Sequence, residues 1–530
     1  MTAALVGSKT LLRVSIKHGR KSFAPWIVIV TVLSVSSVIV YPWLFTEEAD
    51  RQAFAAAIGS NPALGLVFGP AFDLLSDDGF NAWRSLSLGG FAVGLGSVLT
   101  VTALTRGQED SGKAELLESG VLGRGRRLFA AIGATAIGSL AAGVVSALLT
   151  VLFGGGWAAT VLLSATFTVT GWVFASIAAV TAQLGAEARS SNSLAIGILG
   201  SLFVMRGFTY SIDAPSWAIW VNPLSWMTET RPASGNNWLP LLYGIVLVIV
   251  MVAVAYTLQS RRDFGQGALS PRPGRARGSV RSTSALAWRL NRGTIVSWTL
   301  AFMILGIVFG LFTASVHDVL RKDSAVTTLL AAGATTPGEL VGAFMVMIFS
   351  LLGIIATIPG IQIMTKVRRE ELDDRVEPIL AGTVHRARYL VSSVTLAFLA
   401  PAALLVLSGT ILAVLAGRAD IGIQTGDAVL QAAATVPAVW TVVALSVAVV
   451  GARPRLMLVA WAGTVLSFGL TVLGPTFKLW TWMLALSPFW HVPGVSAQDP
   501  DWLGLGWISL VTAVFLVMGF KGFRSRDLAV

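Results

Sequence analysis

The sequence predicts an all-α polytopic membrane protein with twelve transmembrane helices. Of its 530 residues, 55% are hydrophobic and only 12% are charged, and the mean hydropathy is +0.75. That composition is too apolar for a soluble globular protein. Apolar runs of about 18 to 25 residues, the length that crosses a bilayer, lie near 26–46, 86–105, 129–152, 159–184, 191–206, 240–258, 296–315, 340–364, 390–415, 429–450, 456–474 and 504–520.

A charged segment that occurs twice indicates an internal duplication with six spans in each copy. Residues 106–128 and 368–390 align at a shift of 262 positions, and each lies between two apolar runs. After the arginine that begins each copy, the shared spacing places the carboxylates before a second group of arginines. The identical pairs are Arg106/Arg368, Glu109/Glu371, Glu115/Glu377, Gly120/Gly382, Arg124/Arg386, Arg126/Arg388 and Leu128/Leu390.

The duplication predicts a first six-span half at 1–258 and a second at 296–530. The segment between them, 259–295, is rich in Arg, Gly, Ser and Pro, which is typical of a linker that buries no core. Residues 284–292 and 9–20 mix apolar and basic side chains, and this pattern predicts short amphipathic helices on the inner membrane surface. A merely basic tether is the alternative for the linker.

The basic residues predict that both termini are cytoplasmic. With that orientation, 30 of the 38 Lys and Arg residues fall in cytoplasmic segments and 8 fall elsewhere. Cytoplasmic loops collect Lys and Arg, so the net charge of +11 is explained without a nucleic-acid partner. Both charged repeats then face the cytoplasm.

Several kinds of chemistry are excluded by composition. The chain has no cysteine, and its four histidines are scattered without metal-ligand spacing. Gly107, Gly112 and Lys113 have the spacing of a phosphate-binding P-loop, but Ala114 stands where a hydroxyl must bind Mg²⁺ and no strand precedes them. We therefore predict no nucleotide site and no bound cofactor in this chain.

The repeated charged segments are predicted to dock a cytosolic partner. The carboxylates occur at helical spacings that would place them along one face, with arginines about two turns further on. A solvated loop whose arginines anchor to anionic headgroups is the alternative, but headgroup anchoring would not require carboxylates. The predicted docking residues are Glu109, Glu115, Glu118 and Arg124 in the first copy and Glu371, Asp374, Glu377 and Arg386 in the second.

Two motifs carry a resemblance to a known family. The first charged repeat reads E-x5-E-x4-G-x3-R, and the segment before the sixth span supplies Trp220, Asn222, Pro223, Trp226, Arg231, Pro232 and Trp238. With the six-span units, these motifs resemble the permeases of ABC-2-type exporters, and the duplicated twelve-span form resembles the actinobacterial antibiotic and multidrug exporters of the tetronasin-resistance type. The likeness extends over nearly the whole chain.

The resemblance implies a type V exporter fold in each half. It implies an amphipathic connecting helix, a coupling helix after the second span and short outer helices before the sixth. ATP and Mg²⁺ would be bound by a separate ABC ATPase subunit, two copies of which would dock under the fused permease. The chain would itself catalyse no covalent reaction.

On this basis the sequence predicts a permease in the cell (plasma) membrane that exports hydrophobic or amphipathic compounds such as antibiotics. The substrate path is expected between the halves, along spans two, five, eight and eleven. Aromatic and methionine side chains suit varied apolar ligands, although ordinary helix packing also explains them. The candidate path residues are Phe91, Phe203, Met205, Phe344, Met347 and Phe468.

Two rival functions are disfavoured by what the spans contain. A secondary transporter driven by an ion gradient would place carboxylates at membrane depth, and a membrane-embedded enzyme would need convergent catalytic side chains. Only Arg206 falls at membrane depth, near the outer end of the fifth span. We expect it to pair with Asp213 at the outer mouth, or else to extend to the outer headgroups.

Overall fold

The computed structural model describes residues 3–59, 65, 67–112, 124–211, 215–262, 267, 282–320, 337–382, 384–417, 425–473, 480–496 and 500–526. The chain divides into two compact units, Met1–Gly274 and Arg275–Val530. The division therefore falls within the segment 259–295 that separates the two copies of the repeat.

Twelve helices in the described part of the chain are long and apolar enough to cross a membrane, which confirms the predicted fold class. Numbered in chain order, the spans are Ser22–Leu44, Asp77–Asp110, Gly125–Leu152, Trp157–Leu184, Ala188–Tyr210, Leu239–Arg261, Thr283–Leu311, Met345–Leu372, Arg386–Gly417, Gly426–Ala452, Pro454–Thr471 and Leu503–Ser525.

Unit 1 is built from six of these spans and several shorter helices. Its described helices are α1 (Ala3–Leu44), α2 (Glu48–Gly59), α3 (Asp77–Leu104), α4 (Arg106–Asp110), α5 (Arg124–Leu152), α6 (Trp157–Leu184), α7 (Ala188–Ser211), α8 (Ser216–Val221), α9 (Pro223–Thr228) and α10 (Leu239–Arg261). Helix α6 lies at the centre, because it packs against α3, α5, α7 and α10 and is largely buried.

Unit 2 repeats this arrangement around its own central helix. Its described helices are α11 (Thr283–Leu320), α12 (Pro337–Leu372), α13 (Glu377–Leu380), α14 (Arg386–Gly417), α15 (Thr425–Ala452), α16 (Met457–Phe468), α17 (Thr481–Leu484) and α18 (Leu503–Ser525). Helix α15 packs most extensively against α18. Small residues allow that close approach, since a Cβ on Gly451 would lie 2.0 Å from the Gly519 carbonyl oxygen.

The two amphipathic segments predicted before spans 1 and 7 are not separate helices. Residues 9–20 belong to α1 and residues 284–292 belong to α11, and each helix continues without interruption into its span. Neither stretch contains a proline, which would break a helix, so the amphipathic pattern joins the apolar pattern of the span without a break. The short helices predicted before spans 6 and 12 are present as α8 and α9 in unit 1, and as α17 with a 3₁₀ turn, Pro488–His491, in unit 2.

The second charged repeat does not form the single helical face that its spacing predicted. Span 8 continues as a helix to Leu372, so Glu371 lies on its last turn. Asp374 then adopts a left-handed conformation with φ +57°, and Glu377 begins the separate helix α13. A residue in the left-handed conformation ends an α-helix, so Glu371, Asp374 and Glu377 do not lie on one face of a single helix.

Each unit has two chemically different ends. We call the end where spans 2 and 8 finish the basic end, because Arg106, Arg262, Arg368 and Arg526 lie there. The opposite end is called the tryptophan-rich end. It carries Trp217, Trp220 and Trp226 in unit 1 and Trp482 and Trp490 in unit 2.

Candidate functional site

A buried glutamate organises the basic end of unit 1. The Glu109 side chain is only 3% exposed. Its Oε2 lies 2.9 Å from Arg106 Nη1, and its Oε1 lies 2.9 Å from Arg262 Nη2. Arg127 also donates to Oε1. One carboxylate therefore joins the ends of spans 2, 3 and 6.

The same arginines reach the neighbouring helix ends as well. Arg106 Nε donates to the carbonyl oxygen of Ala182 at 2.5 Å, and Arg262 Nε donates to Gln183 Oε1 at 2.6 Å, both near the end of span 4. Asp110 accepts a hydrogen bond of 2.8 Å from the backbone N–H of Ala188, where span 5 begins. We call this arrangement the Glu109 clamp, and it ties together five of the six spans.

Unit 2 contains an equivalent Glu371 clamp. The Glu371 side chain is fully buried, with Oε2 3.0 Å from Arg368 Nη1 and with both oxygens 2.7–2.8 Å from Arg526 Nη2. Arg526 Nε donates to the Gly451 carbonyl oxygen at 2.9 Å, and Arg386 Nη1 donates to the carbonyl oxygen of Arg526 at 3.0 Å. Spans 8, 9, 10 and 12 are joined in this way.

The clamps are charge-assisted hydrogen-bond networks, which are stronger than neutral ones. A buried ion pair contributes little net stability compared with an apolar replacement, but removing one partner leaves an uncompensated charge and is strongly destabilising. The clamps should therefore fix the positions of the span ends relative to one another. They are suited to transmit displacement rather than to bind a ligand.

Arg262 and Arg526 complete the two clamps, and neither was among the predicted site residues. A signal for them was present, because they lie 264 positions apart, and the tryptophan pair Trp238/Trp502 has the same spacing. Each follows directly after the last helix of its unit. Their contacts with Glu109 and Glu371 span more than 150 residues of sequence, and local spacing does not reveal such contacts.

Two of the carboxylates that were predicted to dock a partner, Glu109 and Glu371, are buried, which corrects the prediction for them. For the other predicted docking residues it stays a prediction. Glu109 and Glu371 are occupied inside the chain, because burial favours pairing with the nearby arginines over exposure to a partner. Asp374 and Glu377 are exposed, and Arg386 is half-buried. Glu115 and Glu118 lie outside the described residues, as does the side chain of Arg124, whose backbone begins α5.

Of the candidate path residues, the structure brings two together. The rings of Phe91 and Phe203 meet edge to face, with centroids 5.1 Å apart, between spans 2 and 5. Met205, Met347 and Phe468 have exposed side chains. The side chain of Phe344 lies outside the described part. Their role in a substrate path stays a prediction.

Arg206 is buried rather than extended toward headgroups. It is 2% exposed, its Nη2 donates to the Val67 carbonyl oxygen at 2.7 Å, and its guanidinium lies 4.9 Å from the centroid of the Phe203 ring. The headgroup alternative is therefore wrong, because the planar guanidinium has better partners in the interior. Asp213 lies outside the described residues, so the predicted pair is untested.

Arg206 should hold the segment that contains Val67 against the tryptophan-rich end of unit 1. Because a lysine ammonium is a point charge without the guanidinium plane, we expect Arg206→Lys to increase hydrogen–deuterium exchange in residues 67–73. The expected cost is about 1.5 to 3 kcal/mol, the range for a hydrogen bond to a charged group. Arg189→Lys is the control, since Arg189 is exposed near the start of span 5, far along the helix from Arg206. Unchanged exchange in Arg206→Lys would show that the arginine does not anchor this segment.

Together these features define a class of protein: a polytopic membrane protein built from two similar six-span units. Among the described residues, no cluster of His, Asp and Glu could hold a metal ion. A family model described as the C-terminal domain of the multidrug efflux system permease Rv1217c matches residues 280–524.

A full-length relative extends this match to both units. The multidrug efflux system permease protein Rv1217c of Mycobacterium tuberculosis (strain ATCC 25618 / H37Rv) is 31% identical over 533 residues, which cover 99% of this chain and 96% of that protein. The chain belongs to the Rv1217c family of multidrug efflux system permeases.

Proposed function

We propose that this chain is the permease subunit of an ATP-driven exporter that moves hydrophobic or amphipathic compounds, including drugs and antibiotics, out of the cell. The energy would come from two copies of a separate cytosolic ABC ATPase, which would bind ATP and Mg²⁺. The name of the Rv1217c relative supports multidrug export. The resemblance to exporters of the tetronasin-resistance type supports ATP as the energy source.

The observation that carries the proposal is the position of α13 beside the Glu371 clamp. Val376 is buried in the core of unit 2, and Ile379 and Leu380 pack against that core. Glu377, on the same short helix, is exposed. A partner that grips Glu377 would therefore push on a helix whose other face is anchored in the bundle.

The Glu371 clamp would transmit a displacement of α13 to the spans. The segment from Asp373 to Val376 connects α13 to the last turn of span 8, where Glu371 is held by Arg368 and Arg526. Because Arg526 also binds carbonyl oxygens of Val450 and Gly451, a displacement of α13 would reach spans 8, 10 and 12 together. We propose the same role for the segment that follows the Glu109 clamp in unit 1.

In the proposed orientation the chain lies in the cell membrane with its basic end facing the cytoplasm. Both termini are on the cytoplasmic side. Lys and Arg are enriched in cytoplasmic segments, and the exposed carboxylates at this end would meet the ATPase. The tryptophan-rich end would lie at the outer surface, where tryptophan is favoured at the headgroup level.

The rival is a secondary transporter driven by an ion gradient. Within the described spans, Asp and Glu lie only near helix ends, whereas ion-coupled transporters commonly use carboxylates at membrane depth. Inside-out vesicles decide between the two. Uptake of a fluorescent drug should require both ATP and the ATPase and should survive a protonophore, whereas protonophore-sensitive uptake by the lone chain would support the rival.

Lys113 should make no contribution to nucleotide binding. The purified chain alone is expected neither to bind nor to hydrolyse ATP, and Lys113→Ala should leave the ATPase activity of the complex within about twofold of wild type, because Gly107 and Gly112 do not form a P-loop. Equilibrium binding of a fluorescent ATP analogue and steady-state hydrolysis check both statements. If the chain alone binds nucleotide and Lys113→Ala abolishes that binding, this segment contains a nucleotide site and the prediction is wrong.

A further inference from the structure

A partly open cavity lies in unit 2, between spans 10, 11 and 12, and its lining residues Leu466, Leu486 and Trp507 are exposed. Its volume is about 260 Å³, close to the lower end of small-molecule sites. It begins at the tryptophan-rich end, beside Leu486 and His491, and continues to Leu445 and Phe515 near the middle of spans 10 and 12. A ligand inside it would therefore extend from the end of the bundle to membrane depth.

The walls of the cavity are mainly apolar and include a few polar groups. Among the described lining residues there is no Asp, Glu, Lys or Arg. The polar side chains are Thr441, Ser467 and His491. His491 Nε2 lies 2.9 Å from the Ala485 carbonyl oxygen, so the ring is held in place at the mouth of the cavity.

Unit 1 has a larger side chain at an equivalent position. Helices α6 and α15 both contain 28 residues, and aligning their ends places Trp172 on Trp440. Both indoles donate to a carbonyl oxygen of the third span of their unit, Ala136 at 3.1 Å and Phe398 at 3.1 Å. This alignment places Phe174, which is fully buried, where unit 2 has Val442.

The two units also differ at the position of His491, which lies at the mouth of the cavity. The 264-residue spacing that relates Trp226 to Trp490 places Met227 where unit 2 has His491. Met227 is buried and belongs to the same core cluster as Phe174. At the two aligned positions unit 1 therefore has the buried residues Phe174 and Met227, where unit 2 has a smaller and a more polar side chain, Val442 and His491.

We infer that the cavity between spans 10, 11 and 12 is a binding site for neutral amphipathic compounds. This inference rests on the proposed function and names a substrate class and a location for it. No carboxylate in the described lining would offset the desolvation of an organic cation, and no Lys or Arg would bind a phosphate headgroup, so this lining favours a neutral molecule. A neutral molecule with an apolar body and hydrogen-bonding groups fits both the walls and the polar mouth.

The test fills the cavity with the residue that unit 1 uses. The probe is Nile red, a neutral dye, and its saturable binding to the full chain in lipid nanodiscs is measured by fluorescence. Val442→Phe should raise the Kd at least tenfold, because the added ring occupies the space of the dye. Ser467→Leu, on the opposite wall, should have the same effect and replaces the first variant if Val442→Phe does not fold.

Val514→Phe is the matched control, because Val514 is exposed on span 12 and is not among the lining residues. It should bind Nile red as the wild type does. Wild-type affinity in folded Val442→Phe and Ser467→Leu would overturn the inference. Loss of a co-purified phospholipid from both variants, with Nile red binding unchanged, would also overturn it by identifying a lipid site.

A transport measurement separates this inference from the proposed function. ATP-driven export of Nile red by the complete complex should be lost in Val442→Phe and kept in Val514→Phe. If the wild type binds the dye in a Val442-dependent manner but does not export it, the site stands and the proposed function fails. If the wild type exports the dye and Val442→Phe exports it equally well, the inference alone fails.

Discussion

Glu371→Gln is expected to destabilise the second unit by about 3 kcal/mol, the cost of removing one partner from a buried ion pair. Glutamine fills the same space without charge, so Arg368 and Arg526 lose the carboxylate to which they donate. Glu109→Gln should have a similar effect in unit 1, where Arg106, Arg127 and Arg262 surround the carboxylate. The apparent melting temperature of the purified protein, followed by size-exclusion chromatography, measures both changes.

Glu377→Gln provides the matched control for Glu371→Gln. It makes the same chemical change six residues further along the chain, but at an exposed position. Exposed surface substitutions usually change stability by less than about 0.5 kcal/mol. Equal melting temperatures for the two variants would show that the buried clamp does not hold the span ends together.

The second large effect is expected from charge reversal at the docking segments. Glu115→Lys combined with Glu377→Lys should leave the permease folded and inserted, but it should abolish substrate-stimulated ATP hydrolysis or lose the ATPase on purification. Reversing a partly desolvated interfacial charge can cost about 2 to 5 kcal/mol. The measurements are ATPase activity with and without substrate, and retention of the ATPase on the affinity-purified permease.

The sign of this effect distinguishes protein docking from lipid anchoring. A lysine would strengthen attachment to anionic headgroups but would weaken a contact with basic or donor groups of a protein. Arg126→Glu with Arg388→Glu reverses charge in the basic part of each repeat and serves as the comparison. Normal stimulation and normal efflux in Glu115→Lys/Glu377→Lys would mean that these carboxylates only face water.

The spans could be predicted because the bilayer imposes a length. A helix needs about 20 predominantly apolar residues to cross the membrane, and a run such as Trp157–Leu184, with 28 residues, is visible without tertiary information. The duplication was visible for a similar reason, because charged residues are rare in this chain and a repeated charge pattern is conspicuous. The start of the helix at Ala3 was not predicted, because amphipathic and apolar helical patterns can join without a break.

The clamps could not be predicted, because they depend on contacts between distant parts of the chain. Helical spacing suggested that Glu371, Asp374 and Glu377 share one face, but the left-handed conformation of Asp374 ends that helix. Glu371 then turns inward toward Arg526, 155 positions away. Sequence periodicity assigned all three carboxylates to one surface, whereas the fold buries one and exposes the other two.

The proposed contact between the basic end and the ATPase can be measured directly, because the chain contains no cysteine. A benzophenone maleimide attached at Ala381→Cys, which is exposed beside α13, is irradiated in the complete complex. We expect cross-linking from Ala381→Cys to the ATPase subunit, and none from the exposed Ser216→Cys at the tryptophan-rich end. An actively hydrolysing complex in which Ala381→Cys never cross-links to the ATPase, or in which Ser216→Cys does, would contradict the proposed contact.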